Sequence, residues 1–238
     1  MTFPNLFLAY LATVAGATAI VAWIWLGSRW AVATLSLLAV WLAFTGWLGF
    51  TGIVGQRVDK FPPGIGLLTV PVLIVMLALV LSHTGAVLAR RIPLSVLIGF
   101  QVYRVGVELS LHHLSSLGFA PKMMTLEGGN IEILVAVTAP LAAWLVSRGT
   151  TGRRIASLWN LVGTLSLANI VARAILTAPG LLRVIHAEPP DTAILTFPFT
   201  FIPGFMAPLA LALHVLAFRA LLPLTVPSSR RSTQNGLP

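Results

Sequence analysis

Apolar residues run in long blocks along this chain, separated by short stretches that gather proline, glycine and charge. Blocks long enough to cross roughly 30 Å of hydrocarbon as helix lie near residues 3–26, 30–50, 67–89, 94–115, 131–147, 155–177 and 205–222. They predict an all-α fold, a single bundle of seven transmembrane helices over residues 1–225, followed by a short, basic, flexible tail at 226–238. The last span has room to begin before Phe205. The preceding run from Phe197 to Gly204 is apolar yet broken by Pro198, Pro203 and Gly204, as an interfacial or re-entrant segment is.

The block at 94–115 differs from the others. Gln101, Arg104, Glu108, His112 and Ser115 fall within an arc of roughly 80° on a helix, while Val96, Leu97, Phe100, Val105 and Leu109 cover other faces. An ionisable side chain in hydrocarbon costs about 2.5 kcal/mol or more, so a stripe of this kind faces the bundle interior or a cavity. On the sixth block Ser166, Asn169, Arg173 and Thr177 share a similar arc, with Asn160 and Thr164 on a different face.

Composition agrees with the membrane reading. Of 238 residues 57% are hydrophobic and 9% charged, with a mean hydropathy of +0.94, outside the range of soluble globular domains. Cysteine is absent, which excludes disulfides, thiolate metal sites and cysteine nucleophiles. A net charge of +9 would point to nucleic acid in a soluble protein. Here the arginines flank apolar runs, so they read as topology signals, and the expected partners are the lipid bilayer and a small solute, ion or lipid ligand, with no nucleic acid. No basic region precedes the first block, which is expected to be a retained helix.

Arg29, Arg90, Arg91, Arg148, Arg153, Arg154, Arg219, Arg230 and Arg231 fall on one side of a seven-span chain, against Arg57, Lys60, Lys122 and Arg183 on the other. This imbalance predicts the N-terminus outside and the C-terminus in the cytoplasm, as in a multi-pass protein of a bacterial inner membrane.

Arg104, Glu108 and His112 set a cation, a carboxylate and an imidazole along one track, suited to anion binding, proton relay or acid–base catalysis. Arg104 and Glu108, four residues apart, equally suit an ion pair within the helix. The loop from Gly118 to Glu132 reads as a capped helix start, with Asn130 as cap and Glu132 in the first turn, or as a loop folded into the vestibule that brings Glu127 and Glu132 to the site. Gln101, Asn169, Arg173 and His214 complete the expected binding residues. The proline-rich loop from Ala178 to Pro203, carrying His186, Glu188 and Asp191, suits a lid or an interfacial cap.

No cofactor is required by the sequence. Glu108 and His112, joined by Glu132, have the spacing for an N/O metal site, and His83 with His214 invites a haem reading, although each histidine equally suits a bond to a neighbouring carbonyl or serine. There is no GxSxG elbow, P-loop, zincin helix or Gly-rich dinucleotide turn. The last block lacks the lysine a retinal Schiff base needs.

Gln101-Val102-Tyr103-Arg104, Val107-Glu108, Pro121, Met124 to Glu132, Trp159-Asn160, Asn169-Ile170, Pro179, Phe197-Pro198, Pro203 and His214 together resemble a family of uncharacterised bacterial multi-spanning proteins over roughly residues 100–218. The resemblance implies architecture and no activity. Where that family carries an aspartate in an Asn-x-Asp-Ile pattern, this chain has Glu132.

The expected function is therefore an outward-opening polar site in the membrane that binds and translocates a small solute or ion, with Arg104 as anion anchor and Glu108 as the protonatable group. Two alternatives stand beside it: an intramembrane acid–base or metal-dependent enzyme acting on a lipid or isoprenoid-like substrate, and a subunit or sensor of a membrane complex. The sequence is silent on oligomeric state.

Overall fold

The computed structural model describes residues 2–221; the predicted tail at 226–238, with Arg230 and Arg231, and the end of the last predicted span at residue 222 lie outside them. The described residues form helices and the loops that join them, with no strand. The helices are α1 (Phe3–Leu26), α2 (Ser28–Phe50), α3 (Ile53–Gln56), α4 (Gly64–Leu81), α5 (His83–Arg91), α6 (Leu94–Gly99), α7 (Arg104–Ser116), α8 (Glu132–Leu145), α9 (Gly149–Thr177) and α10 (Ala207–Leu221). A 3-10 turn, Phe100–Tyr103, joins α6 to α7, and a π turn, Ile202–Met206, leads into α10. Six helical stretches are long and apolar enough to cross a membrane: α1, α2, α4, Leu94–Ser116, α9 and Ile202–Leu221. Their outward surfaces carry large apolar side chains such as Val40 and Phe50, 70% and 79% exposed, far more than a soluble protein shows.

The seventh apolar helix, α8, is shorter, at 14 residues or about 21 Å. Its brevity follows from where it starts. The Gly118–Ile131 loop descends into the bundle through two 3-10 turns, Lys122–Met124 and Leu126–Gly128, and Asn130 ends it in contact with Glu108. About 12 Å of helix separates Glu108 from the end of α7 at Ser116, so α8 begins about that far below the end of α7.

The third predicted span is two helices, not one. Ser82 is extended, with φ −80° and ψ 156°, and its hydroxyl caps α5 by accepting from the Gly85 N–H. The freed carbonyls at the end of α4 find a donor on another helix: the Arg219 guanidinium bonds the carbonyls of Leu79 and Ser82, the latter at 3.0 Å. Arg219, counted above among the topology charges, is a cap.

Pro208, in the first turn of α10, removes the N–H that would have reached the Gly204 carbonyl in the π turn. Trp41 Nε1, on α2, donates there instead, at 2.6 Å. The 3-10 turn is fastened to α10 as well, by Gln101 Nε2 donating to the Ala210 carbonyl at 3.1 Å and Tyr103 Oη to the Met206 carbonyl at 2.5 Å, while Tyr10 Oη donates to the Tyr103 carbonyl.

Three loops gather at one end. Leu181 N–H reaches the Val58 carbonyl, and the Thr192 and Ala193 N–H groups reach that of Phe119, each bond 3.0–3.1 Å, while Phe3 packs edge-on against His113. The Ala178–Pro203 loop, whose path the sequence leaves open, lies over this end with Ala193, Ile194 and Leu195 buried. The opposite end is closed by a cluster that includes Leu94, Leu97, Ile98, Leu213, Leu216 and Ala217.

Candidate functional site

Five of the expected residues meet inside the bundle. Arg104 (3% exposed) forms an ion pair with Glu132 (1%), at the start of α8, and its Nη1 donates to Nε2 of His214 (0%) on α10 at 3.2 Å. A guanidinium has no acceptor, so Nε2 is the bare nitrogen and Nδ1 carries the hydrogen. Nδ1 donates to Asn160 Oδ1 at 2.8 Å, and the amide is oriented by Asn160 Nδ2 donating to the His214 carbonyl at 3.1 Å. Four helices are thereby tied through one chain of bonds, Asn160–His214–Arg104–Glu132. Gly163 permits the approach, since a Cβ there would stand 2.6 Å from His214 Cε1 and 3.0 Å from Val135 Cγ1.

Glu108 (7% exposed) is held separately. Asn130 Nδ2 donates to Glu108 Oε2 at 2.6 Å and to the Met124 carbonyl at 3.0 Å, while Asn130 Oδ1 accepts from the Glu132 N–H at 3.1 Å. The loop folds inward with Glu132, while the cap position of α8 is Ile131 and Asn130, one residue earlier, satisfies the first N–H of the helix through its side chain. Glu127 does not join it and is exposed.

Arg104, Glu108 and Glu132 form the polar part of a cavity of about 290 Å³ whose other walls are almost wholly apolar. Ile65, Thr69 and Leu73 line it from α4, Thr164, Ala168 and Val171 from α9, Met206 from the π turn, and Ala207 and Ala210 from the start of α10. The helices α4 and α9 each pack on α10 and scarcely on one another. Leu73 and Ala168, both cavity-lining and both exposed, mark the resulting gap.

The remaining expected residues are placed elsewhere. Gln101 is the α10 clamp already described, with its Oε1 unpartnered. His112 is exposed, because the buried arc of α7 is centred near Leu111 and the next residue is turned about 100° away. Asn169 is exposed and accepts from Arg173 Nε at 3.0 Å; Arg173 Nη1 bonds the carbonyls of Met123 and Gly128 at 2.9 and 3.1 Å, pinning the inward loop from α9. Among the described residues no group of three or more His, Asp or Glu side chains is placed to hold a metal ion, so the Glu108, His112 and Glu132 set is not assembled. His83 is exposed at the start of α5 and both ring nitrogens of His214 are engaged, so the two are not poised as the pair of ligands the alternative haem reading needs.

Asn160, on a face away from the polar arc, is not among the expected site residues, although it is one of the positions that carry the family resemblance. Its signal was local: Asn160, Gly163 and Leu167 share one helical face, with a glycine where a neighbour has to come close. Outside the spans, Asp191 is fully buried in the Ala178–Pro203 loop with both carboxylate oxygens unpartnered. Burial pushes its pKa up to about 7, with the nearby N–H groups of Ile194 and Ala193 pulling weakly the other way without hydrogen-bond geometry.

The arrangement is that of a multi-pass helical bundle with a charged floor beneath an apolar cavity. The chain belongs to a domain family of unknown function, DUF8737, whose model matches residues 62–222 and so takes in every residue lining the cavity. No curated protein and no solved structure matches it.

Proposed function

We propose that this protein is a seven-span protein of a bacterial inner membrane, N-terminus outside and C-terminus in the cytoplasm, that takes an amphiphilic molecule from the bilayer into the cavity between α4, α9 and α10. The observation carrying this reading is the composition of that cavity: apolar walls, a gap between two apolar helices, and ionisable groups confined to the floor. An aliphatic chain suits the walls and the gap, and a polar head suits the floor. Translocation of a small solute would need a polar path, whereas the cluster of Leu94, Leu97 and Leu216 closes the far end. The charge imbalance and the gathering of three loops with the N-terminus of α1 at one end support the orientation; the inward start of α8 supports its counting as the seventh span.

The test is native mass spectrometry of the protein purified from membranes in mild detergent. A retained amphiphile is expected in the native chain and its loss in Ala168→Trp, which fills the gap. The chain has no cysteine, so Ala168→Cys supplies a single thiol for a spin label. Quenching by lipid-soluble oxygen is expected; quenching by an aqueous relaxant alone, with no amphiphile retained, overturns the reading.

A further inference from the structure

Resting on the amphiphile reading, we infer that the 3-10 turn Ala193–Leu195 is a lid on the loop side of the cavity and that the Asp191 carboxyl is its latch, closed when protonated and released when ionised. Ile194, at the centre of that turn, lines the cavity and is 2% exposed, so the turn covers the cavity where the loops gather. Few bonds seat it. The Asp191 N–H donates to the Thr177 carbonyl at the end of α9 at 3.3 Å, and the Thr192 and Ala193 N–H groups share the Phe119 carbonyl. The chain leading into the turn is loosely covered, with Val184, His186 and Glu188 exposed.

The carboxyl in this seat has no partner. Asp191 is fully buried and neither oxygen is hydrogen-bonded, an arrangement that a protonated carboxyl tolerates far better than a carboxylate. No charged side chain among the described residues pairs with it. Arg173 on α9 is committed to Asn169 and to the carbonyls of Met123 and Gly128, Arg183 in the same loop pairs with Glu188, and Arg57 bonds the Pro62 carbonyl. His113 packs on Phe3, and Asp59, Lys60, Lys122, His112 and His186 are exposed. An ionised Asp191 reaches water by local opening of the turn, which breaks those few bonds while the helices around it stay folded. With a closed-lid pKa of about 7 against the ordinary 3.8, ionisation favours the open lid by nearly tenfold per pH unit between about pH 4 and pH 7, and the gain levels off above that. Opening withdraws Ile194 and joins the cavity to water on the loop side, a second way in or out beside the gap between α4 and α9.

The experiment uses the full chain in phosphatidylcholine nanodiscs at pH 5 and pH 8. Hydrogen exchange read by mass spectrometry reports on the amides of Thr192, Ala193 and Leu195. In parallel, transfer of pyrene-tagged hexadecanol from the protein to cyclodextrin in the aqueous phase is timed against empty nanodiscs. In the native chain, protection of the turn, corrected for the intrinsic pH dependence of exchange, is expected to fall at least tenfold from pH 5 to pH 8, and probe transfer to quicken several-fold. Asp191→Asn, whose thermal midpoint at pH 5 checks its fold, is expected to show neither change, whereas His186→Ala, in the same loop, shows both. Equal protection at the two pH values in the native chain, or the same fall in Asp191→Asn, overturns the latch. A fall in protection with probe transfer unchanged overturns the lid. If the probe is retained at neither pH while protection falls as expected, the amphiphile reading fails and the lid with it, leaving the latch as a property of the loop alone.

Discussion

Arg104 pairs with Glu132, across the inward loop, and not with Glu108 four residues along its own helix. The pair therefore joins α7 to α8 where an intrahelical pair would have joined nothing. Removing one partner of a buried ion pair leaves an uncompensated charge, typically at a cost of about 3–5 kcal/mol. Arg104→Ala is expected to lower the unfolding midpoint in detergent sharply, and Arg104→Ala with Glu132→Ala to cost clearly less than the two single changes added together. Additive losses, measured by thermal unfolding, would refute the pairing.

That relationship also shows how far the sequence could be read. Arg104, Glu108, Asn130, Glu132 and His214 stand out because polar groups are conspicuous in apolar blocks, and the structure brings all five together. Their partners were not legible. A spacing of four favours Arg104 with Glu108, and nothing local says that the Gly118–Ile131 loop runs inward and delivers Glu132. The split between α4 and α5 was hidden for a similar reason: it is completed by Arg219, some 140 residues on. His112 lay on the edge of the polar arc, and an edge residue is decided by neighbouring helices.

The bond from Asn160 to His214 fixes which ring nitrogen faces Arg104. Asn160→Leu strands the Nδ1 hydrogen, worth about 1–3 kcal/mol when buried, and removes the second donor to the His214 carbonyl, which keeps its helical bond. A fall in stability is expected, with Asn160→Asp losing less because it keeps the acceptor for Nδ1. Equal losses for the two variants would mean that the acceptor is not what matters.

Two glycine-to-alanine changes should move in opposite directions. At Gly163 the added methyl group meets His214 and Val135, an overpacking that costs about 1–3 kcal/mol. At Gly16, in α1, a Cβ meets nothing within 4 Å, so the change is expected to be neutral or to add up to about 1 kcal/mol through helix propensity. Chemical denaturation of both variants in one detergent checks the contrast.

Asp191 gives the Ala178–Pro203 loop a pH dependence of defined sign. Its folded pKa, about 7, lies above the ordinary 3.8, so the folded state binds this proton more tightly than the unfolded chain does. The contribution is complete below about pH 4 and is lost as pH rises towards 7. Asp191→Asn should match the native midpoint near pH 4 and exceed it above pH 7, read from thermal unfolding across that range. A native chain more stable than the variant at pH 8 would place a cation beside the carboxylate.

The Trp41–Gly204 bond exists because Pro208 cannot donate. In an apolar medium an unpaired carbonyl has no water to turn to, so Trp41→Phe, which keeps an aromatic ring and deletes the N–H, should cost about 1–3 kcal/mol. Pro208→Ala returns a donor to that turn of α10, and in that background Trp41→Phe should cost little. The cycle separates the hydrogen bond from the packing of the indole against α10, because packing is lost equally in both backgrounds and cancels. An unchanged penalty in the Pro208→Ala background would mean that Trp41 holds α2 to α10 through its surface alone.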